Sequence, residues 1–173
     1  MRILAIAGSL RARSTNRTVL EAAALLTPPG VQIIPFAGLG DLPLFNPDRD
    51  DDSLPPAVAT LRAAVAEADG LLICSPEYAR GVSAVLKNAL EWLVSGPEVP
   101  GKPVAVINAS QRSSDADSQL RLILQTMSAR LIGPASITLP MLGRALDVQG
   151  VVADPVLSAR LRGAVQDFVD AIA

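Results

Sequence analysis

Apolar and polar positions alternate along the chain in two repeating patterns. Residues 3–7 form an unbroken run of small apolar side chains that stops at Gly8-Ser9. Such a run marks a strand buried on both faces, and therefore a parallel sheet. After polar residues 9–14, Thr15 and Asn16 are N-cap candidates for a helix whose Val19, Leu20, Ala23 and Ala24 recur at helical spacing until Pro28-Pro29-Gly30. Residues 31–36 predict a second strand, and 41–47 an irregular segment that leads into the acidic stretch 48–52. Ser53 opens the next helix, with Pro55 and Pro56 in its first turn and Val58, Leu61, Val65 and Ala68 on its apolar face before Asp69-Gly70. Residues 71–74 are a third, wholly apolar strand, and 75–80 a loop.

Val82, Val85, Leu86, Ala89, Leu90 and Leu93 make the strongest helical stripe in the chain. A Gly/Pro linker at 96–102 then precedes a strand at 104–108, a helix over 115–130 and a short strand at 135–139. Asp154-Pro155 starts the final helix, with Val156, Leu157, Leu161, Val165 and Phe168 facing inward. Five strands alternating with helices specify an α/β fold with right-handed crossovers and helices on both sheet faces. The expected architecture is a flavodoxin-like three-layer sandwich, its five parallel strands in the order 2-1-3-4-5, with residues 1–173 read as one domain. In such sheets ligands lie beyond the carboxyl ends of the strands at the topological switch point. That places the loops at 8–16 and 75–81 side by side.

Composition narrows the chemistry. The 173 residues are half apolar and 18% charged, which argues against disorder and against a multi-domain enzyme. A net charge of −2 gives no electrostatic reason to bind nucleic acid or an anionic membrane. The chain contains no histidine. Ser-His-Asp triads, Cys-His pairs, histidine-bound metals and imidazole proton shuttles are thereby ruled out. Cys74 is the sole cysteine, so internal disulfides and cysteine zinc clusters are impossible. With an N-terminal apolar run too short for a secretion signal and no run long enough to span a membrane, the expectation is a cytoplasmic protein.

The first loop leaves a buried strand and enters a helix whose free amides carry partial positive charge. Ser9, Ser14 and Thr15 hydroxyls, the Asn16 amide and the Arg11 guanidinium add donors suited to a phosphate. The same residues also suit an ordinary solvated, capped connection. The loop lacks the Gly-x-Gly-x-x-Gly dinucleotide signature. A near-match to the Walker A pattern at 96–103 ends in Pro103 and precedes a strand instead of following one, so it reads as a connecting turn. The second loop, Ser75-Pro76-Glu77-Tyr78-Ala79-Arg80-Gly81, carries the only tyrosine. Tyr78 offers either a flat ligand surface or a side chain packed over its own sheet edge.

Together these segments resemble a known family. Gly-Ser-Leu-Arg-x-x-Ser-x-Asn at 8–16, Asp-Leu-Pro-Leu-Phe-Asn-Pro-Asp at 41–48, Pro-Glu-Tyr at 76–78 and Leu-Lys-Asn-Ala-Leu-Glu-Trp-Leu at 86–93 are similar, in that order, to the NADPH-dependent FMN reductases. That family also includes soluble quinone and chromate reductases. The resemblance implies a flavodoxin-like fold, noncovalent FMN, reduction by NADPH or NADH, a small-molecule electron acceptor, and a homodimer or homotetramer. Carried over by position, Ser9, Arg11, Ser14, Thr15 and Asn16 surround the FMN phosphate. Pro76, Glu77, Tyr78, Ala79, Arg80 and Gly81 run beside the isoalloxazine, and Ser110 lines its other side.

The chain departs from that pattern in places. It has Ala79 where relatives usually carry asparagine, Ser83 and Ala84 where they carry proline and glycine, and a glycine-free stretch after Ser110. Those departures keep a second reading open, a noncatalytic flavin-binding or partner-binding module on the same scaffold. A flavodoxin-type electron carrier fits less well, since such carriers are strongly acidic for docking. Arg80 and Arg112 are candidates for the dinucleotide phosphate, with ordinary surface arginine as the alternative. Cys74 reads as a packed thiol, the 48–52 carboxylates as solvated, and Lys87–Glu91 as a surface i, i+4 pair. Trp92 fits either a subunit contact or the core.

Overall fold

A computed structural model describes residues 1–51, 54–110, 115–141 and 143–173. In chain order the strands are β1 (Arg2–Ala7), β2 (Gln32–Pro35), β3 (Gly70–Cys74), the two-residue β4 (Glu77–Tyr78) and β5 (Gly81–Val82), β6 (Pro103–Val106) and β7 (Arg130–Leu131). The helices are α1 (Thr15–Leu25), α2 (Pro56–Glu67), α3 (Ala84–Leu93), α4 (Asp115–Thr126), α5 (Val148–Ala153) and α6 (Pro155–Ile172). Five strands form one parallel sheet in the order β2-β1-β3-β6-β7, while β4 and β5 make a separate antiparallel hairpin. With the hairpin set aside, this is the expected 2-1-3-4-5 order.

The continuous apolar runs belong to the central strands because both of their faces are covered. Ile3, Ala5 and Leu72 point to the side packed by Val19 and Leu20 of α1 and Leu157, Leu161 and Phe168 of α6. Leu4, Ile6, Leu71 and Ile73 point to the side packed by Val58 and Leu61 of α2, Leu86 and Leu90 of α3, and Leu120 of α4. Strand periodicity thus divides one apolar run between two cores. Gly70 starts β3 where α6 comes closest: a Cβ there would lie 2.8 Å from Ile172 Cδ1 and 2.9 Å from Phe168 Cζ.

Several boundaries differ from the sequence expectation. Helix α1 is capped by Ser14, whose hydroxyl accepts the Arg17 N–H at 3.3 Å, so Thr15 and Asn16 lie in its first turn instead of capping it. The start of α2 expected at Ser53 falls outside the described residues, and the helix itself runs from Pro56. Val82 continues the apolar stripe by spacing but belongs to β5, leaving α3 to start at Ala84. Residues 75–80 are not irregular throughout, since part of them folds back as the β4–β5 hairpin.

The fifth strand comes earlier than residues 135–139. Helix α4 ends at Thr126, Ser128 turns the chain with φ of 58°, and Arg130 and Leu131 then pair with β6. Residues 137–139 rejoin the ladder through the Asn108–Thr138 bridge. Between these two stretches the Ser136 hydroxyl accepts the Val106 N–H at 3.1 Å and donates to the Ile132 carbonyl at 2.8 Å. A side chain here substitutes for a missing rung of the ladder. Asp154 caps α6 as expected, accepting from Val156 and Leu157 N–H, and the short α5 before it is an addition to the expected elements.

Candidate functional site

At the carboxyl ends of β1 and β3 the chain leaves the sheet in two adjacent loops. The Gly8 N–H donates to the Cys74 carbonyl at 2.8 Å, fixing the two exits side by side. Gly8 is needed for that approach, because a Cβ would meet Ser83 Oγ at 2.9 Å and Ser75 Oγ at 3.1 Å. Between the loops lies a cleft of about 510 Å³ lined by Thr15, Asn16, Ser75, Pro76, Glu77, Ala109, Ser110, Met141, Gly143, Arg144 and Ala145. That volume lies within the roughly 300–1,000 Å³ of small-molecule sites.

Of the residues singled out by sequence, Thr15, Asn16, Pro76, Glu77 and Ser110 share this lining. Ser9 and Ser14 are buried beneath the first loop, where Ser9 Oγ faces the Arg11 N–H at 3.4 Å and Ser14 serves as the cap. Ser9 opens instead on a neighbouring cavity of about 220 Å³ between α1 and the end of β2. Arg11 is exposed. Tyr78, Ala79, Arg80 and Gly81 stand outside the lining, on the hairpin beside the cleft, with Tyr78 half exposed. Gln111 to Ser114, including Arg112, lie outside the described residues.

The hairpin and α4 are stitched together. Glu77 Oε2 accepts the Ala116 N–H at 3.0 Å in the first turn of α4, giving that carboxylate a helix-capping role. Arg80 pairs with Asp115 at 2.6 Å, and Gln119 Nε2 donates to the Arg80 carbonyl at 3.2 Å. The Arg80 guanidinium therefore already has a carboxylate partner. Ser110 is held by its N–H, which donates to Asn108 Oδ1 at 2.9 Å.

Residues 41–48 are tied to α3, which accounts for the second and fourth motifs occurring together. Asn88 Nδ2 and Trp92 Nε1 both donate to the Pro43 carbonyl, at 3.0 and 2.8 Å, and Asn88 Oδ1 accepts the Phe45 N–H at 2.8 Å. Trp92 is fully buried, edge-on to Phe45 with ring centroids 5.1 Å apart, so it serves this chain's own core. Leu44 is left 84% exposed at the tip of the turn. Asp50 is paired with Arg62 at 2.7 Å, and Lys87 with Glu91 at 2.6 Å.

Beneath the cleft, Cys74 is completely buried, and desolvation pushes its thiol up to about 12 against a smaller opposing effect of a backbone hydrogen bond from Ala109. Its S–H donates to Asn16 Oδ1 at 3.1 Å. Sequence reasoning missed the wall formed by Met141, Gly143, Arg144 and Ala145. Its visible signals were a glycine, now seen with φ of 77°, and the capping Asp154, whose carboxylate also pairs with Arg144. Asp154 lies below the ordinary carboxylate value, first through its hydrogen bond from Leu157 N–H and then through Arg144.

A parallel sheet in this order, with a nucleotide-sized cleft at its switch point, defines a flavodoxin-like α/β nucleotide-binding protein. Known proteins narrow the class. The chain belongs to the NADPH-dependent FMN reductase family, whose model matches residues 1–141. It is 35% identical over 159 residues to an NAD(P)H-dependent FMN reductase of Pseudomonas aeruginosa, covering 89% of this chain and 85% of that one. To an NADPH:quinone oxidoreductase of Arabidopsis thaliana it is 36% identical over 171 residues, covering 94% and 87%. Among solved structures, a flavoenzyme NAD(P)H:(acceptor) oxidoreductase from Paracoccus denitrificans superposes with a TM-score of 0.79 at 26% identity, covering 99% of this chain and 96% of its own. Among the described residues no helix is long and apolar enough to cross a membrane.

Proposed function

We propose that the protein is an NAD(P)H-dependent oxidoreductase that holds FMN in the cleft between the β1–α1 loop and the β3–β4 segment and passes electrons to a quinone, a flavin or a similar small acceptor. The carrying observation is Asn16: it is 8% exposed and lines the cleft, and among the described residues its Nδ2 has no protein acceptor. A side-chain donor that opens on a cleft beside a helix N-terminus is placed to meet an anion there. The residues present therefore fit a mononucleotide phosphate.

In this reading Thr15 and Asn16, with their own amides at the start of α1, hold the phosphate, and Ser9, Ser14 and Arg11 shape and charge the loop around it. Pro76, Glu77, Tyr78, Ala79, Arg80 and Gly81 form the wall beside the isoalloxazine, and Ser110 faces its other side. FMN, when bound, supplies the hydride-accepting and electron-donating chemistry. The chain's own work is to bind, orient and exclude water. The lining Glu77 carboxylate is occupied at the end of α4 and Arg144 by Asp154, so orientation rests on amides and hydroxyls. This explains how the site dispenses with histidine. Residues 1–173 act as one flavin-binding domain, the protein is cytoplasmic, and it works as a homodimer or homotetramer.

The test is anaerobic mixing of FMN-loaded protein with NADPH and, separately, NADH. Bleaching of the flavin absorbance, followed by reoxidation on adding a quinone, is the expected result. A flavin that stays oxidised with both donors would refute the enzyme reading in favour of a noncatalytic flavin-binding module.

A further inference from the structure

Asn16 and Cys74 lie 58 positions apart in sequence, yet they meet at the floor of the cleft. Asn16 comes from the first turn of α1 and Cys74 from the last position of β3. A primary amide has one acceptor end and one donor end, and the direction it faces is set by the partner on each side. Here the Oδ1 end is taken by the thiol at 3.1 Å. The Nδ2 end is thereby left for the cleft that Asn16 lines. The flipped amide would present a carbonyl oxygen to the cleft and repel an anion, so the two orientations are opposite in their effect on a phosphate.

We infer that Cys74 is a positioning residue: by donating its S–H to Asn16 Oδ1, it turns the Asn16 amide so that Nδ2 faces the phosphate of the bound mononucleotide. This deepens the reading of the β1–α1 loop as a phosphate cradle and rests on it. Complete burial suits the role. A thiol held up to about 12 remains an S–H donor across the whole physiological range. The same burial keeps Cys74 away from solvent and from any redox partner, so its contribution is geometric. Because S–H is a weak donor, it biases the amide instead of locking it.

The experiment uses the full chain and two ligands differing only in the phosphate, FMN and riboflavin, titrated by quenching of flavin fluorescence. Cys74→Val removes the donor while roughly keeping the volume, Cys74→Ala removes it with a smaller side chain, and Cys74→Ser retains a donor. An amide hydrogen bond to a charged group is among the stronger ones, and losing its preferred orientation is expected to weaken FMN binding about five- to tenfold. Riboflavin binding should be unchanged in Cys74→Val and Cys74→Ala, and Cys74→Ser should restore FMN binding to within about twofold of wild type. Equal weakening of both flavins would overturn the inference by exposing a packing effect, and so would unchanged FMN binding in a folded donor-less variant. A wild-type protein that binds riboflavin as tightly as FMN would overturn the phosphate reading itself. Wild-type preference for FMN that survives in the variants would overturn the role of Cys74 alone.

Discussion

Ala79 and Arg80 are the central residues of the β4–β5 turn, and both lie in the left-handed region, with φ of 49° and 61°. The pairs Tyr78–Gly81 and Glu77–Val82 leave only these two residues to reverse the chain. Such two-residue hairpins favour asparagine followed by glycine, because both positions need positive φ. For alanine the left-handed conformation costs roughly 1–2 kcal/mol as Cβ approaches the following carbonyl, and asparagine offsets part of that through local hydrogen bonding. Ala79→Asn is therefore expected to stabilise the protein by about 0.5–1 kcal/mol. Because Glu77, Arg80 and Gln119 fasten the hairpin to α4, the gain should enter the global unfolding transition. In a chain of this size 1 kcal/mol corresponds to roughly 2–4 °C in Tm. The measurement is thermal and urea unfolding at one fixed flavin concentration, since bound ligand itself shifts stability. Ala79→Val serves as the opposite control, a β-branched residue at positive φ. The expected order of Tm is Asn, then Ala, then Val. An asparagine variant no more stable than wild type, beside a valine variant equal to it, would refute the claim that this turn stores strain.

Two further outcomes follow from buried groups away from the hairpin. Arg62 donates to the Trp92 carbonyl, to Ser95 Oγ and to Asp50, whose side chain is only 7% exposed. Arg62→Ala leaves that carboxylate without its cation and should cost about 3 kcal/mol in urea unfolding; a loss under about 0.5 kcal/mol would contradict the assignment. Cys74 is raised from 9.0 to about 12, so its contribution to stability is complete below pH 9 and declines as pH rises toward 12, where the unfolded chain releases the proton first. Cys74→Val should remove that part of the alkaline decline, and a thiol reagent at pH 8 should label wild type only after unfolding; rapid labelling of the folded protein would count against the burial.

The layers of the fold were legible because apolar runs and helical stripes report burial directly. The strand at residues 3–7 is buried on both faces, and of the stripe from Val82 to Leu93 all but Val82, which lies in β5, belongs to a helix facing the core. Boundaries were less legible where a side chain substitutes for backbone. Ser136 bridges β6 to the segment after β7, so residues 135–139 have the composition of a strand while the regular pairing lies at Arg130 and Leu131. The hairpin at 77–82 escaped notice for a related reason. Its turn is Ala-Arg, which carries none of the Asn-Gly or Asp-Gly signal that marks such turns.

The site was legible where strand order brings its loops together. Loops 8–16 and 75–81 were placed together by strand order, and the structure brings Thr15 and Asn16 to one cleft with Pro76 and Glu77. The wall formed by Met141, Gly143, Arg144 and Ala145 depends on how the chain returns after β7, which no local periodicity encodes. Glu77 shows the same limit at the level of one side chain. Its place in a Pro-Glu-Tyr motif beside a cleft suggests contact with a ligand, yet its carboxylate reaches 39 residues along the chain to the first turn of α4. On the other side of the cleft the Asn108 side chain holds the Ser110 N–H. The hairpin is therefore more than a surface beside the cleft. It fastens to the first turn of α4 through Glu77 and Arg80.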